Sequence, residues 1–175
     1  MKNFKRDNLL FSLCGLNCGL CPMNLNQSCS IAKCSLQHEN IQYCFRCETY
    51  PCGKYESIDE FDSFIAHRHQ KQHMEKFREP GIELYSAEQH RKKVLLNHLL
   101  NTYNDGRKKT MFCAAVNLLE LDDLENIINE LDKNALHLSL REKAAYAASL
   151  FQETAAAKNI TLKLRIPIIL KMSLS

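Results

Sequence analysis

Eight of the nine cysteines, Cys14, Cys18, Cys21, Cys29, Cys34, Cys44, Cys47 and Cys52, fall in the first 52 residues of a 175-residue chain; the remainder holds only Cys113. Thiols gathered this densely either pair as disulfides or ligate metal. Cys18-x2-Cys21 and Cys44-x2-Cys47 have the spacing that lets one turn offer two sulfurs to one ion. The N-terminus places charges ahead of only a short apolar stretch, Leu9 to Leu13, with no h-region or cleavage site. No apolar run approaches the roughly 20 residues that a bilayer requires. A cytoplasmic location is therefore expected, where thiols stay reduced and a cysteine-dense segment points to metal before disulfides. Eight thiolates would complete two tetrahedral zinc sites, and the spacing leaves open how Cys14, Cys29, Cys34 and Cys52 are shared between them. Cys34-x3-His38 would put a further ligand on the same helical face, although the segment already has thiolates enough and His38 reads as solvent-exposed.

Glycines at 15, 19 and 53, prolines at 22 and 51 and the lack of an apolar period make residues 11–53 irregular, with metal expected to stand in for a core. Ser57 and Glu60 form an S-x-x-E capping box, and Ile58, Phe61, Phe64 and Ile65 recur at helical spacing, which predicts a helix from Ile58 to Glu79, stopped by Pro80-Gly81. A second helix is expected over Glu88 to Tyr103, with Val94, Leu95, Leu99 and Leu100 on its apolar side. A third should begin near Thr110 with Phe112, Ala115, Val116 and Leu119 as its stripe. Asp122 and Glu125 read as the cap of a short helix through Leu131, and Ser139 with Glu142 as the capping box of a helix to Lys158. Alternation over Ile160 to Ile166 fits a short strand before Pro167, for which Leu9 to Leu13 is the weak candidate partner. The fold class is accordingly mainly α. A single domain, residues 1–175, would comprise a cysteine-rich metal-binding layer (11–53), a four- or five-helix body (57–158), and a short strand and tail (159–175).

Charge adds a constraint. The net +3 is too small to imply a polyanion partner, but residues 67–109 carry ten Lys or Arg against five acids and residues 110–135 one Lys against six acids. Two helical faces of opposite sign that lie near each other explain this better than a nucleic-acid groove. Cys113 sits on an apolar stripe and reads as core. His69 and His73, at i and i+4, lie among polar groups and read as a solvated face. Tyr103-Asn104-Asp105-Gly106-Arg107 reads as a helix stop and turn followed by solvated cations, with an anion or partner site beside the helix start near Thr110 as the weaker alternative.

The fragments CGLNCGLCP (14–22), CFRCETYPCGKYESIDEFDSFIAH (44–67), GIELYSAEQ (81–89), YNDGRKKTMFCAAVNLLELDDL (103–124) and LKLR (162–165) resemble the domain-of-unknown-function 3795 family. Its members are uncharacterised cysteine-rich proteins of bacteria and archaea, taken to bind metal, and the resemblance implies no established reaction. Similar members have a Gly-rich insert with another cysteine pair between the counterparts of Met23 and Ser28, where this chain has only Asn24-Leu25-Asn26-Gln27; the tail 167–175 has no counterpart. Cys14-x3-Cys18-x2-Cys21 also resembles the cluster-binding triad of radical S-adenosylmethionine enzymes, and Cys21-Pro22 is similar to the end of a bacterial ferredoxin motif. Nothing downstream supplies the βα units of such an enzyme's barrel.

The sequence thus predicts a cytoplasmic metal-binding protein. Zinc is the leading ion, the eight N-terminal cysteines are its ligands, and the helical body offers a surface to an unidentified protein partner. An iron-sulfur protein acting in redox or cofactor-linked chemistry is the alternative, and a zinc-assisted nucleic-acid binder the weaker one. No catalytic pair, phosphate loop or dinucleotide fingerprint names a substrate, so the reading leans away from an enzyme.

Overall fold

The computed structural model describes residues 10–20, 29–78 and 82–166. The chain is mainly helical: the described residues form six α-helices and three single 3-10 turns, with no strand among them. A short helix, α1 (Ser30–Leu36), interrupts the cysteine segment, and α2 (Gln70–Arg78), α3 (Ile82–Thr102), α4 (Lys109–Leu118), α5 (Leu121–Asn134) and α6 (Leu140–Ala157) build the body.

The body follows the apolar periodicity. Leu95, Leu96 and Leu99 of α3 meet Phe112, Cys113, Ala115 and Val116 of α4, Leu124, Ile128 and Leu131 of α5, and Ala147 and Phe151 of α6 in one core. Cys113 is buried there, as its stripe predicted. The Ser139–Glu142 capping box opens α6, and Asn104 and Asp105 form the turn before α4. There Asn104 Oδ1 accepts from the Gly106 and Lys108 amides, and Asp105 Oδ1 from that of Arg107. Oppositely charged faces do meet: Arg91 Nε on α3 donates to Glu125 Oε1 on α5 at 2.6 Å, and His98 reaches Asp132.

Several expectations give way. The helix forecast from Ile58 forms only from Gln70, because the buried Asp62 carboxylate accepts from the His67 amide at 2.8 Å and so competes with helical pairing. His69 adopts a left-handed φ of 68°, which no α-helix passes through. Phe61 and Phe64 consequently lie 51% and 58% exposed. The second helix begins six residues earlier than forecast, at Ile82, and Val94 faces solvent at 57%. The last short helix starts at Leu121 with Glu120 as N-cap, rather than being capped by Asp122 and Glu125.

The C-terminal strand does not form either. Arg68 donates to the Thr161 and Lys163 carbonyls and Asp62 accepts from the Arg165 amide, so side chains satisfy an extended segment that has no strand beside it among the described residues. The Leu10–Leu13 part of its candidate partner is a turn that closes on Leu16 and Gly19, and Leu9 lies outside the described residues.

The cysteine layer has an apolar core of its own, contrary to the expectation that metal must replace one. Phe11 and Tyr43 stack with Met74 and Phe77 of α2 and Tyr85 of α3. Phe11 lies 4.6 Å from Phe77 and Tyr43 4.5 Å from Phe77, centroid to centroid, within the range of favourable aromatic pairs.

Candidate metal centre

Tight local turns place Cys14, Cys44, Cys47 and Cys52. In residues 10–20 the Gly19 amide donates to Leu10 O and the Ser12 amide to Leu16 O, closing a loop around Gly15. Gly15 has φ +91°, and a Cβ there would stand 2.3 Å from the Gln70 carbonyl oxygen; only glycine fits this approach to the start of α2. The same junction is tied by Gln70 Nε2, which donates to Cys14 O at 3.0 Å. Cys14 itself is buried, with its Sγ 3.0 Å from Ser12 Oγ.

The second cysteine run is docked on the first by the Cys44 amide, which donates to Leu13 O at 2.8 Å. Cys44 opens a 3-10 turn that the Cys47 amide closes onto Cys44 O, which is the local form of the x2 spacing. The Tyr50 amide donates back to Cys47 O, and the Tyr55 amide to Cys52 O. Consecutive turns thus present Cys44, Cys47 and Cys52 toward one side, and α1 brings Cys34 to meet them.

Cys34, Cys44, Cys47 and Cys52 line a single cavity of about 390 Å3, with His38, Ile31, Ile41 and Tyr55 among its other walls. Burial, opposed by the neighbouring Tyr55 hydroxyl and reinforced by Cys14, Cys52 and Cys34, pushes the Cys44 thiol up to about 12. Cys44 is therefore a thiol at neutral pH, and the neighbouring sulfurs resist its ionisation because their charges would sum. A cation in the cavity would reverse that balance, since a coordinating thiol is deprotonated outright. The hydroxyl of Tyr55 is buried beside Cys44, and the Cys44 sulfur is the partner it faces. Burial first, and then Cys44, hold it in the protonated form. It is an O–H donor beside a thiol sulfur, a weak acceptor that metal binding would turn into a strong one.

Four thiols with a hydroxyl donor beside one of them are the donor types that a thiolate metal site uses. The side chains are not gathered to coordination distance: among the described residues no three His, Cys, Asp or Glu groups are arranged to hold an ion.

Of the other predicted ligands, Cys14 is buried near enough to Cys44 to disfavour its ionisation, whereas Cys18 and Cys29 do not line the cavity. Cys18 begins a 3-10 turn outside this cavity, Cys29 is the N-cap of α1, and Cys21 lies outside the described residues together with the Cys18–Cys21 pairing. No disulfide joins any of the described cysteines. His38 is exposed, as expected, yet it reaches the cavity wall. Tyr55 is the residue that sequence reasoning missed, because nothing in GKY marks a hydroxyl destined for burial. No family model, no curated protein and no solved structure matches the chain.

Proposed function

We propose that this is a cytoplasmic metal-binding protein in which Cys34, Cys44, Cys47 and Cys52 hold one thiolate-ligated ion, with zinc as that ion. The observation that carries the reading is that four thiols, from α1 and three successive turns, line one cavity, with the buried Tyr55 hydroxyl beside Cys44. Zinc takes four thiolates tetrahedrally and supplies structural cross-linking there, Cys34 tying α1 to the Cys44–Cys52 turns. Tyr55 would donate to the Cys44 thiolate and fix its direction. Cys14, Cys18, Cys21 and Cys29 remain as ligands for a second site. Membership of the family resembled by the cysteine motifs belongs to the same proposal, as does a protein partner for the helical body, to which Leu84, Val94, Leu136 and Leu140 offer exposed apolar surface.

One observation favours a second reading. A cavity of about 390 Å3 lined by four thiols has room for a multi-iron cluster, whose thiolates bind separate irons, as well as for one ion. Anaerobic purification followed by elemental analysis and an absorption spectrum of the same sample separates the two. Colourless protein with about one to two equivalents of zinc is expected, falling by about one equivalent in Cys44→Ser/Cys47→Ser. Brown protein with iron and sulfide establishes the second reading, and protein purified without either metal refutes both.

A further inference from the structure

A second cavity, of about 90 Å3, lies between α2, α3 and the α4–α5 junction and shares no lining residue with the thiol cavity. Helix junctions are normally filled with apolar side chains, but this one carries Gln89 (1% exposed), Lys92 (5%) and Asn117 (4%). Two of these are accounted for in part. Asn117 Nδ2 donates to Cys113 O. Lys92 Nζ donates to Leu119 O at the end of α4 and pairs with Glu88 at 3.1 Å. Gln89 Oε1 is buried and has no partner among the described residues. A buried acceptor left open is uncommon in folded proteins and calls for a donor. The third N–H of Lys92 has no acceptor among the described residues.

The remaining walls are neutral or cancel. Burial and the nearby Lys92 keep the half-buried His73 imidazole uncharged; of the pair that the sequence places on a solvated face, only His69 is exposed. Tyr85 donates its hydroxyl proton to Asn17 Oδ1 and retains an oxygen that can accept. Lys92 is offset by Glu88, and Lys76 by Glu120 at 3.9 Å. The His and Glu side chains here are not arranged to hold a metal ion. His69, in its left-handed conformation, belongs to the same wall, a placement typical of sites where backbone strain is retained.

We propose that this cavity binds a small uncharged molecule whose N–H or O–H donor meets Gln89 Oε1 and whose adjacent oxygen takes the Lys92 N–H, that is, a primary amide or hydroxyl compound. Its size limit is about six non-hydrogen atoms, since each water-sized occupant needs about 15 Å3. The class follows from the walls. An anion would face the open Gln89 oxygen and a cation the Lys92 ammonium, whereas a neutral amide satisfies both.

Acetamide, acetate and acetamidinium have the same shape and different charge, and they form the test on the full-length protein. Acetamide should shift the Gln89 side-chain amide and His73 ring NMR signals saturably, in the millimolar range expected for so small a ligand. Acetate and acetamidinium should bind at least about tenfold more weakly, a difference of about 1.4 kcal/mol. Gln89→Met keeps the volume and removes the acceptor; it should lower acetamide affinity by about tenfold while leaving the protein folded and its metal content unchanged. Lys92→Met should do the same wherever it folds. Shifts that fail to saturate, equal binding of the three probes, or full acetamide affinity in Gln89→Met would each overturn the proposal and leave a cavity filled by ordered water.

Discussion

Gly15 and Gly106 share one backbone conformation and differ in what surrounds them, so the pair isolates the close approach that seats the first cysteine loop. Both have φ +91°; a Cβ at Gly15 would stand 2.3 Å from Gln70 O and 3.3 Å from Met74 Cβ, whereas at Gly106 nothing lies within 4 Å. Alanine at a left-handed position costs about 1–2 kcal/mol, of which about 0.4–1 kcal/mol is recovered because the unfolded chain loses freedom. Gly106→Ala should therefore destabilise by about 1 kcal/mol. At Gly15 the obstacle is a backbone carbonyl that cannot swing aside, and the required shift of the loop or of α2 adds about 1–3 kcal/mol, as overpacking does. Gly15→Ala should cost about 2–4 kcal/mol in total. Urea denaturation followed by circular dichroism, with thiol accessibility measured in parallel, reads both variants. Cys14 and Cys44 should become reactive at lower urea in Gly15→Ala only, because the Cys44 amide is anchored on Leu13 of the same loop. Equal losses in the two variants would refute the argument that packing, and not φ, dictates Gly15.

Cys113→Ser places a hydroxyl in the main core and should lower stability by about 1–3 kcal/mol with metal content unchanged; loss of metal in that variant would mean the site reaches α4. Burial alone would raise the Asp62 carboxyl, but hydrogen bonds from the Arg165 side chain and amide and from the His67 amide hold it below the ordinary carboxylate value. Its stabilisation is accordingly complete above about pH 4 and lost as pH falls through the lower folded value. Asp62→Ala should cost about 3 kcal/mol and release the 161–165 segment, seen as faster amide exchange there; an unchanged exchange pattern would count against the tether. His73 is pushed down from 6.5 to about 3, chiefly by burial and then by Lys92. The unfolded chain then binds a proton that the folded one refuses, and stability falls as pH drops from about 6.5 toward about 3. The His73 ring should remain neutral by NMR at about pH 5, and a protonated ring there would contradict the placement.

The helical body was legible because its signals are local. Phe112, Ala115, Val116 and Leu119 repeat at helical spacing, and Ser139 with Glu142 caps at fixed separation, so no distant partner had to be known. Where a distant residue decides, the pattern misled. Ile58, Phe61, Phe64 and Ile65 have helical spacing, yet Asp62 is claimed by Arg165, 103 residues away, and no window of sequence contains both. The 160–166 alternation failed for the same reason, its carbonyls being taken by Arg68. His73 looked solvated among charged neighbours because the Asn17 and Gly15 it packs against come from the cysteine loop. The x2 spacing of Cys44 and Cys47 was readable and their company was not. Cys34 joins them through α1, and α1 is only seven residues long, too short to assert itself by periodicity.

The aromatic cluster beneath the cysteine layer changes what metal removal should do. In a zinc finger the ion is the core and chelation unfolds the domain. Here Phe11, Tyr43, Met74, Phe77 and Tyr85 are all nearly or fully buried, and Tyr43 is the residue immediately before Cys44. The turn that presents Cys44 and Cys47 is thus anchored to α2 and α3 by apolar contact, whatever occupies the cavity. Full burial of an aromatic side chain contributes about 1.5–3 kcal/mol, so Phe11 and Phe77 alone oppose unfolding by several kcal/mol. Chelation should therefore free the thiols while the near-ultraviolet dichroism of Tyr43 and Tyr85 and the far-ultraviolet helical signal persist. Phe11→Ala, a cavity of about 3–5 kcal/mol, should make the same layer depend on metal for its order. Loss of the near-ultraviolet signal on chelation of the unsubstituted protein would show that the aromatic cluster is held by the ion, and that the layer folds as zinc fingers do.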